Sequence, residues 1–136
     1  MRILKILLAF TCIVTTGWAV AGDAEQGTAA EAPKSCLFLP NIYSIDIIDN
    51  QNIAFITNNH KYYLNHLPYA CPMLDRYKVI MYKTPLSSLC DLDIINVLDP
   101  VAGGFQYYGA CGLGKFKPVS KEEIQQMKAK HKKTAK

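Results

Sequence analysis

Two carboxylates and two histidines are the side chains in this sequence with the strongest claim to chemistry. Asp91 and Asp93 directly follow Cys90. Residues two apart in an extended segment project to the same side, where paired carboxylates can exchange protons with a substrate or hold a cation. His60 and His66 could share one face of a strand, and an imidazole serves as general base or metal ligand. A small hydrolytic or metal-assisted enzyme would therefore use Asp91, Asp93 and His66. Two features weigh against it. Calcium loops supply more oxygen ligands than this segment carries, and no activated nucleophile accompanies the acid and base. The competing reading puts the aspartates in a turn, accepting backbone N–H groups before a strand that starts at Ile94, and makes His60 a loop residue and His66 a half-exposed strand residue. No catalytic residue, metal or cofactor is assigned on these residues.

Cys36, Cys71, Cys90 and Cys111 are spread too widely for the close C-x-x-C pairs of structural zinc sites. An even set in a chain addressed to an oxidising compartment implies two disulfides. Three pairings are open to four cysteines. The expected one joins Cys71 to Cys90, closing a loop between successive strands, and Cys36 to Cys111, tying the start of the domain to its last strand. The glycine-rich run 109–114 has no G-x-G-x-x-G between a strand and a helix, so a tight turn, a bulge or close approach of another strand explains it. Adjacent tyrosines occur twice, as Tyr62-Tyr63 and Tyr107-Tyr108. Neighbours on a strand face opposite sides, so one ring of each pair is expected in the core and the other exposed. These four tyrosines are the candidate binding surface, with cross-strand packing as the alternative. Lys128, Lys130, His131, Lys132, Lys133 and Lys136 form a basic tail suited to weak contact with an anionic surface or simply to solvation. Nucleic acid is not an expected partner of an exported protein.

The elements that must position these residues begin after an N-terminal leader. Arg2 and Lys5 flank the start of an apolar run over residues 6–14, and Ala19-Val20-Ala21 ends the segment as a small-x-small triplet. This is the pattern of a signal peptide over residues 1–21, cleaved before Gly22. Thr15, Thr16 and Gly17 interrupt the run before it reaches the roughly 20 apolar residues of a bilayer span, so no transmembrane span is expected in the mature form. Cleavage lowers the formal charge from +4 to +2 and removes Cys12 and the one tryptophan, Trp18. The mature chain should then fluoresce from tyrosine alone and carry no free thiol. A mildly acidic body is left with a basic end: eight lysines and two glutamates fall within residues 115–136.

Residues 22–35 have no aromatic or β-branched apolar side chain and read as a flexible linker. Strands are expected over 42–48, 53–57 and 61–67, separated by turn clusters at 49–52 and 58–60 and forming a meander. Further strands are expected over 77–82, 94–98 and 105–108, the last running on through Cys111 to Phe116. Pro85, Pro100, Gly103 and Gly104 mark the loops between them. Ser120 and Glu123 make a capping box, with Val119 and Ile124 placed for a hydrophobic staple, so a helix should start at Lys121. Its apolar face narrows to Ile124 and Met127, and residues 128–136 should form a disordered basic tail. The fold class is mainly β: one domain over 36–127, a small disulfide-stapled antiparallel barrel or two-layer sheet with a short C-terminal helix. A core this small is marginal by surface-to-volume scaling, which gives the disulfides a physical purpose.

With Cys36 ahead of the first strand, Tyr62-Tyr63 leading to Cys71-Pro72, then Leu89-Cys90-Asp91-Leu92-Asp93-Ile94, Ala110-Cys111-Gly112-Leu113-Gly114-Lys115-Phe116 and Pro118-Val119-Ser120, the chain resembles a bacterial family of short exported four-cysteine proteins, domain-of-unknown-function family 6491. The resemblance covers about residues 36–127 and implies a cell-envelope setting, in the periplasm or secreted. It supplies no catalytic residues, and the basic extension after Met127 lies outside it. The expected function is a non-catalytic module binding an envelope or secreted partner. The alternatives are a small inhibitor of an exported hydrolase and the Asp91, Asp93 and His66 enzyme.

Overall fold

The computed structural model describes residues 31–134. The expected signal peptide and the first part of the expected linker lie outside the described residues. Nine strands and one helix follow in chain order: β1 Cys36–Phe38, β2 Ile42–Ile47, β3 Asn52–Thr57, β4 Tyr62–His66, β5 Val79–Tyr82, β6 Ser88–Cys90, β7 Ile94–Val101, β8 Gly104–Gly112, β9 Phe116–Val119 and α1 Lys121–Thr134. All pairing is antiparallel, and the strands form three sheets: β1 with β6, β2-β3-β4-β9, and β5-β7-β8. The fold is mainly β with a C-terminal helix, as expected, but the sheets do not close into a barrel.

The first three long strands form the expected meander because each turn has its own local chemistry. Asp49 accepts from the Gln51 amide at 2.8 Å and from the Asn52 side chain, while His60 adopts a left-handed φ of 58° in the turn before β4. Tyr43 is an extra residue opposite β3, a bulge that lets Ile42 and Ile45 both reach the core although they are an odd number of residues apart.

The inner face of this sheet supplies Ile53, Phe55, Tyr63 and Phe116 to the main core, where Phe55 and Phe116 meet edge to face with centroids 5.2 Å apart. Leu37 and Leu89 from β1 and β6, Ile95 and Val97 from β7, and Leu67, Cys71, Leu74 and Leu113 from the connecting segments complete it. The outer face carries Ala54, Tyr62, Leu64 and Val119, and α1 packs Ile124 and Met127 over them.

The helix starts as its capping box dictates: the Ser120 amide donates to Glu123 Oε2 at 2.7 Å and the Glu123 amide to Ser120 Oγ at 3.1 Å. Val119 and Ile124 share the cluster beneath it, the expected staple. The helix does not end near Met127 but continues to Thr134, which corrects the disordered tail for residues 128–134. Lysine and alanine favour helix. The basic last turn and Glu122 and Glu123 in the first complement the helix dipole. Lys128 Nζ also meets Asp46 of β2 at 2.6 Å.

Several boundaries differ from expectation. Residues 31–35 are tied to the domain instead of linking to it: Lys34 exchanges backbone hydrogen bonds with Phe116 at 2.9 Å, and the Ser35 carbonyl accepts from the Asp91 amide at 2.6 Å. The strand expected to run from Phe105 to Phe116 breaks at residues 113–115, where the chain leaves the three-stranded sheet and enters the four-stranded one as β9. Pro118 fits there because β9 is an edge strand. Pro100 lies inside β7, not in a loop. Pairing with β5 ends at Leu98, so the missing Pro100 N–H deprives no neighbour.

The disulfides join Cys36 to Cys90 and Cys71 to Cys111, correcting the expected pairing of Cys71 with Cys90 and Cys36 with Cys111. The reason lies in β1 and β6, each too short to read from sequence. They pair so that Cys36 and Cys90 stand directly opposite. Cys71 is then left beside Cys111 on β8, with Cα atoms 6.0 Å apart. Closing loops with separations of 54 and 40 residues, each bond stabilises by about 4 kcal/mol in the chain-entropy account.

Candidate functional site

Asp91 and Asp93 sit in the turn between β6 and β7. Asp93 Oδ2 accepts from the Cys90 amide at 2.7 Å, and the Asp93 amide returns to the Cys90 carbonyl at 3.1 Å. Leu92, between them, takes a left-handed φ of 73°. This is the turn-capping arrangement for Asp93. His66 Nδ1 lies 2.9 Å from Asn52 Oδ1 across the β3–β4 pair. Among the described residues no group of three or more His, Cys, Asp or Glu side chains could hold a metal ion, so Asp91, Asp93 and His66 do not make a metal-holding group.

The glycine run is explained by the crossing between sheets. Gly109 follows Tyr108, the extra residue of a bulge opposite Val97 and Leu98. Gly114 passes so close to strand β4 that a Cβ would strike the His66 carbonyl oxygen. Fully buried Asn65 brackets it: Nδ2 donates to the Gly114 carbonyl at 2.6 Å and Oδ1 accepts its amide at 2.9 Å. One side chain thus supplies both hydrogen bonds of a missing ladder rung and satisfies backbone groups that would otherwise be buried unpaired. Asn65 has no sequence signal of its own. The small residue forced at 114 is the trace it leaves.

The four tyrosines do not form one surface. Tyr63 is buried and its hydroxyl accepts from Lys34 Nζ at 3.0 Å. Glu31 bridges Lys34 and Lys61. These lysines hold the Glu31 carboxyl below its ordinary pKa through hydrogen bonds, and Glu31, with Tyr63 second, raises that of Lys34. Tyr62 lies half-buried beneath α1. Tyr108 packs against the core, with Lys78 Nζ 5.0 Å from its ring centre. Lys78 also meets Asp99 at 3.0 Å, and that hydrogen bond raises the lysine pKa. Only Tyr107 of the four is well exposed, at 60%.

Tyr107 belongs instead to the outer face of the three-stranded sheet. The register sets Val79 beside Leu98 and Leu98 beside Tyr107, with Met81 opposite Asn96 and Pro100 opposite Phe105. Ile95 and Val97, on the other side of β7, are fully buried, which fixes Val79, Met81, Ile94, Phe105 and Tyr107 as outward residues. All five are exposed, Phe105 at 64% and Ile94 at 60%, and among the described residues no helix or strand covers them. These side chains make an exposed, largely apolar and aromatic outer face on the sheet, with Asn96 set among them. Its signal in the sequence is that Val79-Ile80-Met81-Tyr82 and Ile94-Ile95 are apolar at consecutive positions, so both faces of the sheet must be apolar.

Among the described residues no helix is long and apolar enough to cross a membrane. No family model matches the chain, and neither a curated protein nor a solved structure matches it.

Proposed function

We propose that this protein is an exported, non-catalytic binding module that holds an envelope or secreted protein partner against the outer face of the β5-β7-β8 sheet. The observation that carries the reading is the uncovered row of Val79, Met81, Ile94, Phe105 and Tyr107. Aromatic residues and methionine concentrate at the centres of protein interfaces, and here a disulfide-stapled scaffold presents them without prior ordering cost. Export is supported by the two disulfides, bonds that persist chiefly in oxidising compartments, and by the leader pattern of residues 1–21. The resemblance to domain-of-unknown-function family 6491 points the same way, to the bacterial cell envelope.

A second reading, inhibition of an exported hydrolase, rests on the β7–β8 hairpin. Beyond the Leu98 pairing with β5, residues 99–106 continue as a two-stranded ribbon bearing exposed Val101 and Phe105, a shape that can enter an active-site cleft.

The test is site-specific photo-cross-linking in the oxidised protein, with the reactive group at position 105 or, as control, at Lys132 of α1. Incubated with envelope extract at low and high salt, the position-105 probe should yield one dominant adduct that survives high salt, and the Lys132 probe should not. Identical adducts from both positions, or none from position 105, would overturn the reading. Loss of a hydrolase activity in the same extract would select inhibition.

A further inference from the structure

A cleft of about 280 Å³ opens between the β2 edge of the four-stranded sheet and the segment leading into β5. Arg76, Lys78, Lys128 and His131 line it around a single carboxylate, Asp46. The first two come from the chain just before β5. Lys128 and His131 stand three apart on α1 and so share one helix face. Basic side chains distant in sequence are thus gathered at one concave place, with Ile45 and Ile47 of β2 also lining it.

Within the lining three cations, Arg76, Lys78 and Lys128, share one carboxylate, while Asp99 and Asp75 act on Lys78 from outside it. Lys128 is matched by Asp46 at 2.6 Å and Lys78 by Asp99 at 3.0 Å, but each ammonium has three donors and each contact uses one. Arg76 rests on the Tyr77 ring, 5.2 Å from its centre, and has no carboxylate partner among the described residues. Among those residues the Arg76 guanidinium donates to no carboxylate, and Lys78 and Lys128 each keep donors beyond their one ion pair. Donors so placed suit a ligand with several anionic oxygens on one centre, which can take an arginine fork and an ammonium together.

We propose that this cleft is a binding site for a phosphate group, gripped by Arg76 and Lys128 and flanked by Lys78 and His131. Asp46 tempers the site: it holds Lys128 in place and repels the ligand. The proposal is independent of the apolar face and gives the basic helix a defined role. The same chemistry is offered by a phospholipid headgroup and by a soluble phosphate compound.

The oxidised protein is titrated with inorganic phosphate, with glycerol phosphate, and with phosphatidylcholine vesicles with or without phosphatidylglycerol, following backbone amide resonances for the soluble probes and co-sedimentation for vesicles. Saturable shifts should centre on residues 46, 76, 78, 128 and 131. Arg76→Gln should weaken binding about tenfold. Lys132→Gln, which removes the same charge from α1 outside the cleft, should change it less than about twofold. Asp46→Asn should tighten it several-fold, a gain that misfolding cannot produce. Binding that requires phosphatidylglycerol and is competed by inorganic phosphate identifies a headgroup. Saturation by soluble phosphates without vesicle binding identifies a soluble ligand. Absence of saturable shifts, equal losses in the Arg76 and Lys132 variants, or an Asp46→Asn variant of unchanged affinity would overturn the site.

Discussion

The four-stranded sheet presents Ala54, Tyr62, Leu64 and Val119 on its outer face and lays α1 across them, whereas the three-stranded sheet presents Val79, Met81, Ile94, Phe105 and Tyr107 and leaves them exposed. Both sheets contribute their inner faces to the same core. Burying the first outer face stabilises the fold, since Ile124 is almost wholly removed from water and such a side chain contributes about 2 kcal/mol or more by area. The second outer face contributes nothing comparable while it stays wet. Apolar surface of similar kind therefore serves folding on one side and is left available for association on the other.

The sharpest ways to break that contrast act on the covered sheet. Gly114→Ala would drive a methyl group into the His66 carbonyl at the point where the chain crosses between sheets. The expected loss is about 3 kcal/mol in denaturant unfolding, and a loss below about 1 kcal/mol would show that the crossing is looser than described. Ile124→Ala should cost about 2–3 kcal/mol by removing the helix anchor, with helical circular dichroism falling alongside. If the variant keeps wild-type stability, α1 does not protect the sheet and the contrast between the two faces disappears.

The smallest effect concerns the Lys78 pair with Asp99, near the end of the bare sheet. Because the folded-state pKa of Lys78 is raised by its bond to Asp99, its contribution is fully present below the ordinary lysine pKa and is lost as pH rises through the raised value. The difference in melting temperature between wild type and Lys78→Met should therefore narrow as alkaline pH is approached. A gap that stays constant would mean that the lysine acts through its aliphatic stem and not its charge.

What could be read in advance follows the range of the interactions. The β2-β3-β4 meander and the helix start were legible because Asp49, His60, Ser120 and Glu123 act within a few residues of themselves. The disulfide pairing was not, because it depends on β1 and β6, strands of three residues separated by most of the domain. The Asn65 bracket on Gly114 spans 49 residues, and only the glycine hinted at it. The tyrosine surface was half legible: alternation correctly separates Tyr62 from Tyr63, but which outer face a helix would cover is a tertiary fact. The basic cleft was hidden for the same reason, since Arg76 and Lys78 acquire meaning only when α1 brings Lys128 and His131 to meet them.

The most direct test of the account is one double variant measured twice. Phe105→Glu with Tyr107→Glu, in the disulfide-intact protein, should leave the unfolding free energy within about 0.5 kcal/mol of wild type and abolish retention of the partner cross-linked from position 105. A variant that unfolds several kcal/mol more easily, or that keeps the partner at full strength, would show that the bare face belongs to the fold or to solvent and not to binding.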